Sequence, residues 1–401
     1  MKLVITLNQR DCLMTYNCPL GKEKFDVIQG NCLDEMAKME SNSIDFIVTD
    51  PPYGLYFMGK KWDKETPSVE YWKEALRICK PGSMMAVFGG SRTHHRLMCA
   101  IEDAGWEIRD VIMWLYGSGF PKSHNHFGLE GYGTALKPAY EPIVIAMKPL
   151  DGTFANNAEK WGLAGINING NRILAIDQKK LSKNWDRETI TDIRNGSFGN
   201  GIPSGIKLTT HSHNGRWPAN IILDEEAGKL LDEQSGNLGI SKGGKSGNSK
   251  AFMGAFKDDH YGNIKPGFGD TGGASRFFYC AKASSKERNL GCESLPFIDK
   301  SNGNKWSDQD YRVIRGERPS SAQSGPRKNF HPTVKPISLM KYIINLLAPP
   351  GEPTLLDPFA GSGSTLVAAK ELGINAIGIE ISEEYCEIAR NRIKFEYSKF
   401  Q

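Results

Sequence analysis

The sequence contains no Cys-x-x-C pair. Its 8 cysteines, Cys12, Cys18, Cys32, Cys79, Cys99, Cys280, Cys292 and Cys386, are scattered. That scatter argues against a zinc site, and a secreted disulfide framework belongs to much shorter chains than these 401 residues. Reduced, mostly buried thiols in a cytoplasmic protein are the expectation. No apolar run approaches the roughly 20 residues of a membrane span. The short run at 3–7 falls below the length of a signal-peptide core. Two His-x-His pairs, His124/His126 and His211/His213, lack acidic or cysteine neighbours, so surface histidines are expected and no metal. Nor is there an internal repeat.

What the chain does have is unevenly distributed. The net charge is a mild +4, yet residues 151–330 hold 26 Lys+Arg against 20 Asp+Glu. That stretch is therefore +6 and the remainder −2. Excess positive charge in the middle suits a phosphate-contacting surface, or simply a solvated, loop-rich face. The same stretch holds 25 of the 43 glycines, and its periodicity is weak. On either side, strands and helices alternate. Strands are expected at 25–29, 44–49, 84–88, 106–116, 141–148, 354–356 and 375–379. Helices are expected at 33–39, 68–79 (stopped by Pro81-Gly82), 93–104, 336–347, 364–372 and 382–397. Helix 382–397 should turn Tyr385, Ile388, Ala389 and Ile393 inward. Short strands survive at 219–223 and 276–281. Such alternation predicts an α/β fold with a doubly wound, mostly parallel sheet.

Two motifs carry chemistry. Asp50-Pro51-Pro52-Tyr53 follows a buried strand, and its prolines stiffen the loop where open α/β sheets place ligands. An exocyclic amino group on a base is a poor nucleophile because its lone pair is delocalised. Two acceptors aimed at its N–H groups, the Asp50 carboxylate and the Pro51 carbonyl, favour the localised form, and Tyr53 can stack on the ring. The alternative is a rigid connection with an incidental acid. The second motif, Asp357-Pro358-Phe359-Ala360-Gly361-Ser362-Gly363-Ser364-Thr365, lies between a strand and a helix. Glycines there let backbone approach a ligand, and Glu380 ends the next strand, where a carboxylate can hold ribose hydroxyls. No Lys precedes Ser364-Thr365, which excludes a P-loop. A third element, His331-Pro332-Thr333-Val334-Lys335-Pro336, returns the chain towards the glycine loop.

Together these residues resemble the β group of amino DNA methyltransferases, the S-adenosylmethionine-dependent N6-adenine and N4-cytosine enzymes, and most closely the N6-adenine ones. The resemblance covers about 24–148 and 329–395. It implies a Rossmann-like methyltransferase fold with a loop-rich target-recognition insertion: 1–150 the catalytic half, 151–328 the insertion, 329–401 the cofactor half. It implies that Asp50, Pro51, Pro52 and Tyr53 hold the target base, with Asp50 also near the donor. Asp357, Phe359, Ala360, Gly361, Ser362, Gly363 and Ser364 would line the donor pocket, with Glu380 on the ribose and Thr333 and Lys335 at the methionine end. Where the family often has an acid near the donor's adenine, this chain has Asn31 and Cys32. Phe120 and Lys122, in a loop between two strands, would approach the flipped base and its phosphates; an ordinary glycine-rich hairpin loop is the other reading.

The resemblance further implies double-stranded DNA as partner, S-adenosyl-L-methionine as cofactor without metal, a homodimer, and a cytoplasmic protein of bacterial or phage origin. Whether a cognate restriction endonuclease exists is left open. An acid at the first motif position leans towards adenine N6. N4-cytosine methylation, an RNA or protein-glutamine substrate, and a non-catalytic DNA-binding module remain alternatives.

Overall fold

The computed structural model describes residues 25–55, 63–119, 123, 128–173, 189–192, 207–210, 215–239, 271–281, 287–295, 297–298, 305–306 and 328–395. The chain divides into two compact units, Met1–Asn167 with Ala281–Gln401, and Ile168–Cys280. Its described strands are β1 (Phe25–Gln29), β2 (Ile44–Thr49), β3 (Cys79–Phe88), β4 (Glu107–Leu115), β5 (Tyr140–Met147), β6 (Thr189–Asp192), β7 (Lys207–Thr210), β8 (Ile221–Asp224), β9 (Tyr279–Ala281), β10 (Phe297–Ile298), β11 (Lys305–Trp306), β12 (Thr354–Asp357) and β13 (Asn375–Glu380).

Within the first unit, seven strands are hydrogen-bonded in the order β1-β13-β12-β2-β3-β5-β4. The first five run parallel; β5 and β4 add an antiparallel hairpin. From β2 the chain moves outward through helix Val69–Ile78 to β3. From β12 it moves the opposite way, through helix Ser364–Leu372 to β13. The β12/β2 boundary is thus the switch point at which such sheets open a crevice at their carboxyl ends. This is the expected doubly wound, mostly parallel α/β architecture.

The strands flanking that boundary are apolar because both faces are covered. Phe46, Ile47 and Val48 of β2 and Leu355 and Leu356 of β12 are fully buried. Asp45 interrupts β2 but is matched: its carboxylate accepts from Lys80 Nζ (2.6 Å) and from the Thr354 amide (2.8 Å). Helix Ile337–Leu347 buries Leu339, Met340, Ile343, Ile344 and Leu347, and also Tyr342 and Leu346, so it is apolar on nearly every side.

Two expectations are corrected. The helix ends at Ile78, ahead of Pro81-Gly82 as expected, but that pair lies inside β3, which begins at Cys79 and not at residue 84. The register with β2 shifts there, the irregularity that lets a strand carry a residue without N–H. Gly82 has φ +78°, and a Cβ would overlap the Asn157 side chain. In helix Glu383–Lys394 the buried residues are Tyr385, Cys386, Ile388, Ala389 and Arg392, and Ile393 is not among them. A four-residue step from Ile388 reaches Arg392, so the helical period places the arginine inside.

In the second unit β6 and β7 pair antiparallel. Asp224 caps helix Glu225–Ser235 by accepting from the Ala227 amide (2.6 Å). Trp217 is exposed, with the Arg172 guanidinium 5.2 Å above its ring. Cys32, Cys79, Cys292 and Cys386 are buried and free, and Cys99 is exposed. Among the described residues no helix is long and apolar enough to cross a membrane. Both His-x-His pairs lie outside the described residues.

Candidate active site

The ends of β2, β12 and β13 and the start of the antiparallel β5 border one cleft of about 1310 Å³. Every expected site residue that is described lines it, except Gly363. Gly363 has φ +78° and sits where a Cβ would come within 2.9 Å of the Ala389 methyl, so it serves close packing. Phe120 and Lys122 lie outside the described residues.

One wall is built around Asp50. The backbone after it is held from two sides: Tyr53 N and Gly54 N donate to Asp63 Oδ1 (2.7 and 3.0 Å), and Thr93 Oγ1 donates to Tyr53 O (2.6 Å). Gly90 leaves room for the Tyr53 ring, which a Cβ there would approach to 3.2 Å. The Tyr53 hydroxyl lies 2.8 Å from Asp50 Oδ1 and 2.9 Å from Glu141 Oε2. Lys335 Nζ lies 2.9 Å from Asp50 Oδ2, 2.9 Å from Glu141 Oε2 and donates to the Tyr53 hydroxyl at 3.0 Å.

The electrostatics follow from that packing. Burial pushes Asp50 above its ordinary value, Lys335 opposes, and Glu141 adds to the rise. Burial alone would depress Lys335, but Asp50 and Glu141 outweigh it and raise it. Burial, then the two carboxylates, push the Tyr53 phenol well above its ordinary value, so it stays protonated.

The opposite wall is the glycine loop. Gly361 has φ +52°, a conformation that suits glycine, and its amide donates to Glu380 Oε2 (2.9 Å). Ser382 N donates to Glu380 Oε1 (2.8 Å). The Ile381 amide also bears on this carboxylate, and of its roughly four acceptor sites one is left for a hydroxyl from the cleft. Glu380 is raised, chiefly by burial. Asp357 faces inward: its Oδ1 accepts from Thr49 Oγ1 (2.6 Å) and Phe359 N (3.1 Å). That first bond ties the end of β2 to the end of β12. Burial lifts Asp357 to about 6 against the hydroxyls of Thr365 and Thr49. Phe359 stacks obliquely on Tyr71 (6.0 Å between centroids). Asn31 caps helix Cys32–Ala37, accepting from Leu33 N (2.9 Å), while still bordering the cleft.

Three supporting residues were not anticipated. Glu141 opens an otherwise apolar strand, and because β5 is antiparallel its start lies at the same sheet edge as the end of β2. An acid at the mouth of a buried strand was the available signal, the same one that picks out Asp50. Arg392, fully buried, donates to Ser362 O (2.7 Å), Ser362 Oγ (3.0 Å) and Ser364 Oγ (3.1 Å), bracing the glycine loop from beneath. His331 packs edge-on against Tyr385 (4.6 Å) under Gly361, and burial lowers it to about 3. Lys335, expected at a donor's methionine end, lines the cleft and lies within 3.0 Å of Asp50, Glu141 and the Tyr53 hydroxyl.

A family model described as DNA methylase matches residues 44–391. Among curated proteins, the Type II methyltransferase M.HindIII of Haemophilus influenzae is 48% identical over 69 residues, 17% of this chain and 22% of that protein. The Type II methyltransferase M2.DpnII of Streptococcus pneumoniae is 48% identical over 66 residues, 16% of this chain and 24% of that protein. These matches thus span about a quarter of the relatives' length. Among solved structures, the PvuII DNA methyltransferase (cytosine-N4-specific) aligns over 94% of this chain and 91% of its own, at 13% identity and a TM-score of 0.44.

Proposed function

The chain belongs to the DNA methylase family, and from that premise we propose that it is a site-specific DNA methyltransferase that transfers a methyl group from S-adenosylmethionine to N6 of an adenine flipped out of duplex DNA. The observation that carries this reading is the single cleft with Asp50 and Tyr53 on one wall and Gly361 and Glu380 on the other.

The glycine wall fits the donor by chemistry. Glu380 offers a carboxylate oxygen to a ribose hydroxyl, Phe359 an aromatic face to a purine, and Asn31 and Cys32 border the same pocket. Thr333 completes that side; Lys335 belongs with Asp50. When bound, the donor supplies an electrophilic methyl on a sulfonium that leaves as a neutral thioether. The protein positions the acceptor: Asp50 and the Pro51 carbonyl accept the two amino N–H bonds, and these contacts strengthen as the nitrogen becomes tetrahedral. Tyr53, fixed by Asp63 and Thr93, presents its ring to the base. Extruding the nucleotide costs a few kcal/mol of stacking and pairing. The basic middle stretch, with Arg172 and the exposed Trp217, supplies phosphate and stacking contacts to the duplex.

The test is transfer of labelled methyl from S-adenosylmethionine to duplex DNA, followed by nucleoside digestion. Label in N6-methyladenine is the expected result. Label in N4-methylcytosine would keep the enzyme and change its base, and absence of label from DNA would refute the function.

A further inference from the structure

The proton that the amino group loses needs a destination, and the Asp50 wall is built one proton short. Five contacts join its four side chains: Lys335 to Asp50, to Glu141 and to Tyr53, and Tyr53 to Asp50 and to Glu141, all between 2.8 and 3.0 Å. An ammonium carries three protons and a phenol one. With both carboxylates ionised, four protons serve five contacts. The phenol hydrogen can point at Asp50 or at Glu141, and the other contact then sets oxygen against oxygen. One further proton completes the network with no atom moved.

We propose that Asp50, Tyr53 and Glu141 form a proton relay in which Glu141 takes up the proton released by the target amino group. The inference rests on the methyl-transfer reading of the site. The amino nitrogen's lone pair forms the N–C bond, and the C–S bonding pair stays on sulfur. The N–H proton passes to Asp50. Asp50 Oδ1 hands a proton to the Tyr53 oxygen as the phenol proton moves to Glu141 Oε2. Asp50 is again an anion, Tyr53 remains a neutral phenol, and Glu141 holds the proton.

Direction is set by the surroundings. Lys335 faces both carboxylates, so it neutralises one charge without choosing between them. Glu141 is the more exposed, at 23% against 17% for Asp50, and the relay is drawn to end there. Among the described residues, other titratable neighbours are Asp63, which accepts from the Tyr53 amide, Tyr116, raised to about 12 by burial and then by Glu141, and Asp357, which feels Asp50. Tyr116 stays protonated at neutral pH and is no competing base. Glu141 does not touch the base; it acts through Tyr53.

Single-turnover methyl transfer to duplex DNA as a function of pH tests the relay, in wild type, Glu141→Gln and Glu141→Asp, with donor affinity measured by calorimetry beside it. The wild-type rate should rise with pH as Asp50 ionises, because an already protonated cluster cannot accept. Glu141→Gln should bind donor as wild type does and transfer about tenfold more slowly or worse. Its rising limb should move to lower pH, since Asp50 loses a neighbour that raises it. Glu141→Asp should recover part of the rate and the wild-type limb. The relay is overturned if Glu141→Gln keeps the wild-type rate, if it slows without displacing the limb, or if Glu141→Asp behaves like Glu141→Gln. A wild type that transfers no methyl to DNA would refute the function itself, and the relay with it.

Discussion

Asp357→Asn removes the charge of a buried carboxylate while leaving its hydrogen bonds available. Thr49 Oγ1 and Phe359 N both donate to Oδ1, which an amide oxygen replaces. The Thr365 hydroxyl can rotate to accept from the amide nitrogen. Burial lifts Asp357 from an ordinary 3.8 to about 6. Between those values the folded state holds a proton that the unfolded chain releases, so stability declines as pH rises through this window. Each pH unit between the two is worth about 1.4 kcal/mol, so above the window the ionised carboxylate destabilises the fold by about 3 kcal/mol. Asparagine carries no such penalty. Urea unfolding of the full chain should therefore show Asp357→Asn more stable than wild type by up to about 3 kcal/mol near pH 8, with the advantage nearly gone below about pH 4. His331, held at about 3 by burial, has the opposite dependence: its contribution is lost as pH falls below 6.5. It is present in both proteins and cancels in the difference. A difference that is the same at both pH values, or a variant weaker than wild type near the upper one, would refute the account of Asp357.

Asp50→Ala should bind S-adenosylmethionine within about threefold of wild type yet transfer methyl about a hundredfold more slowly or worse; near-normal turnover would exclude the assigned role. Lys335→Met removes a cation that lowers Asp50. Its transfer rate should be small at neutral pH and recover as pH rises, and an unshifted pH profile would contradict the Lys335 geometry. Gly361→Val places a branched side chain at φ +52°, with Cβ 2.8 Å from His331 Nε2. The backbone term alone is about 1–2 kcal/mol, so calorimetry should show donor affinity reduced about tenfold or more, and unchanged affinity would remove this loop from the donor pocket.

Much of the sheet was legible because periodicity reports burial. β2 and β12 are short apolar runs ending in an acid, and both acids, Asp50 and Asp357, border the cleft. Their meeting was also legible, because a doubly wound sheet brings its carboxyl ends to one crevice. What stayed hidden depends on side-chain partners far apart in sequence. Glu141 gains its place from the reversal of β5, and Lys335 from being enclosed by two carboxylates. Asp357 borders the cleft as its motif suggests, but its bond to the hydroxyl of Thr49, 308 positions away, could not be read from the motif. Pro81-Gly82 hid the start of β3, because a proline does not read as strand unless a register shift against a neighbouring strand holds it.

The position of β12 between β13 and β2 also bears on how the chain is born. The partner that covers one edge of β2 is synthesised some 300 residues later, a delay of roughly 15 to 60 s at about 5–20 residues per second. Until then β2 offers the nascent chain an open, apolar edge of the kind that recruits strands from strangers. Closing so long a loop is also entropically slow to reward. Ribosome-bound chains halted before residue 354 should therefore lean on chaperones, and the Asp50 wall cannot acquire Lys335 or the glycine loop until the last sixth of the chain emerges.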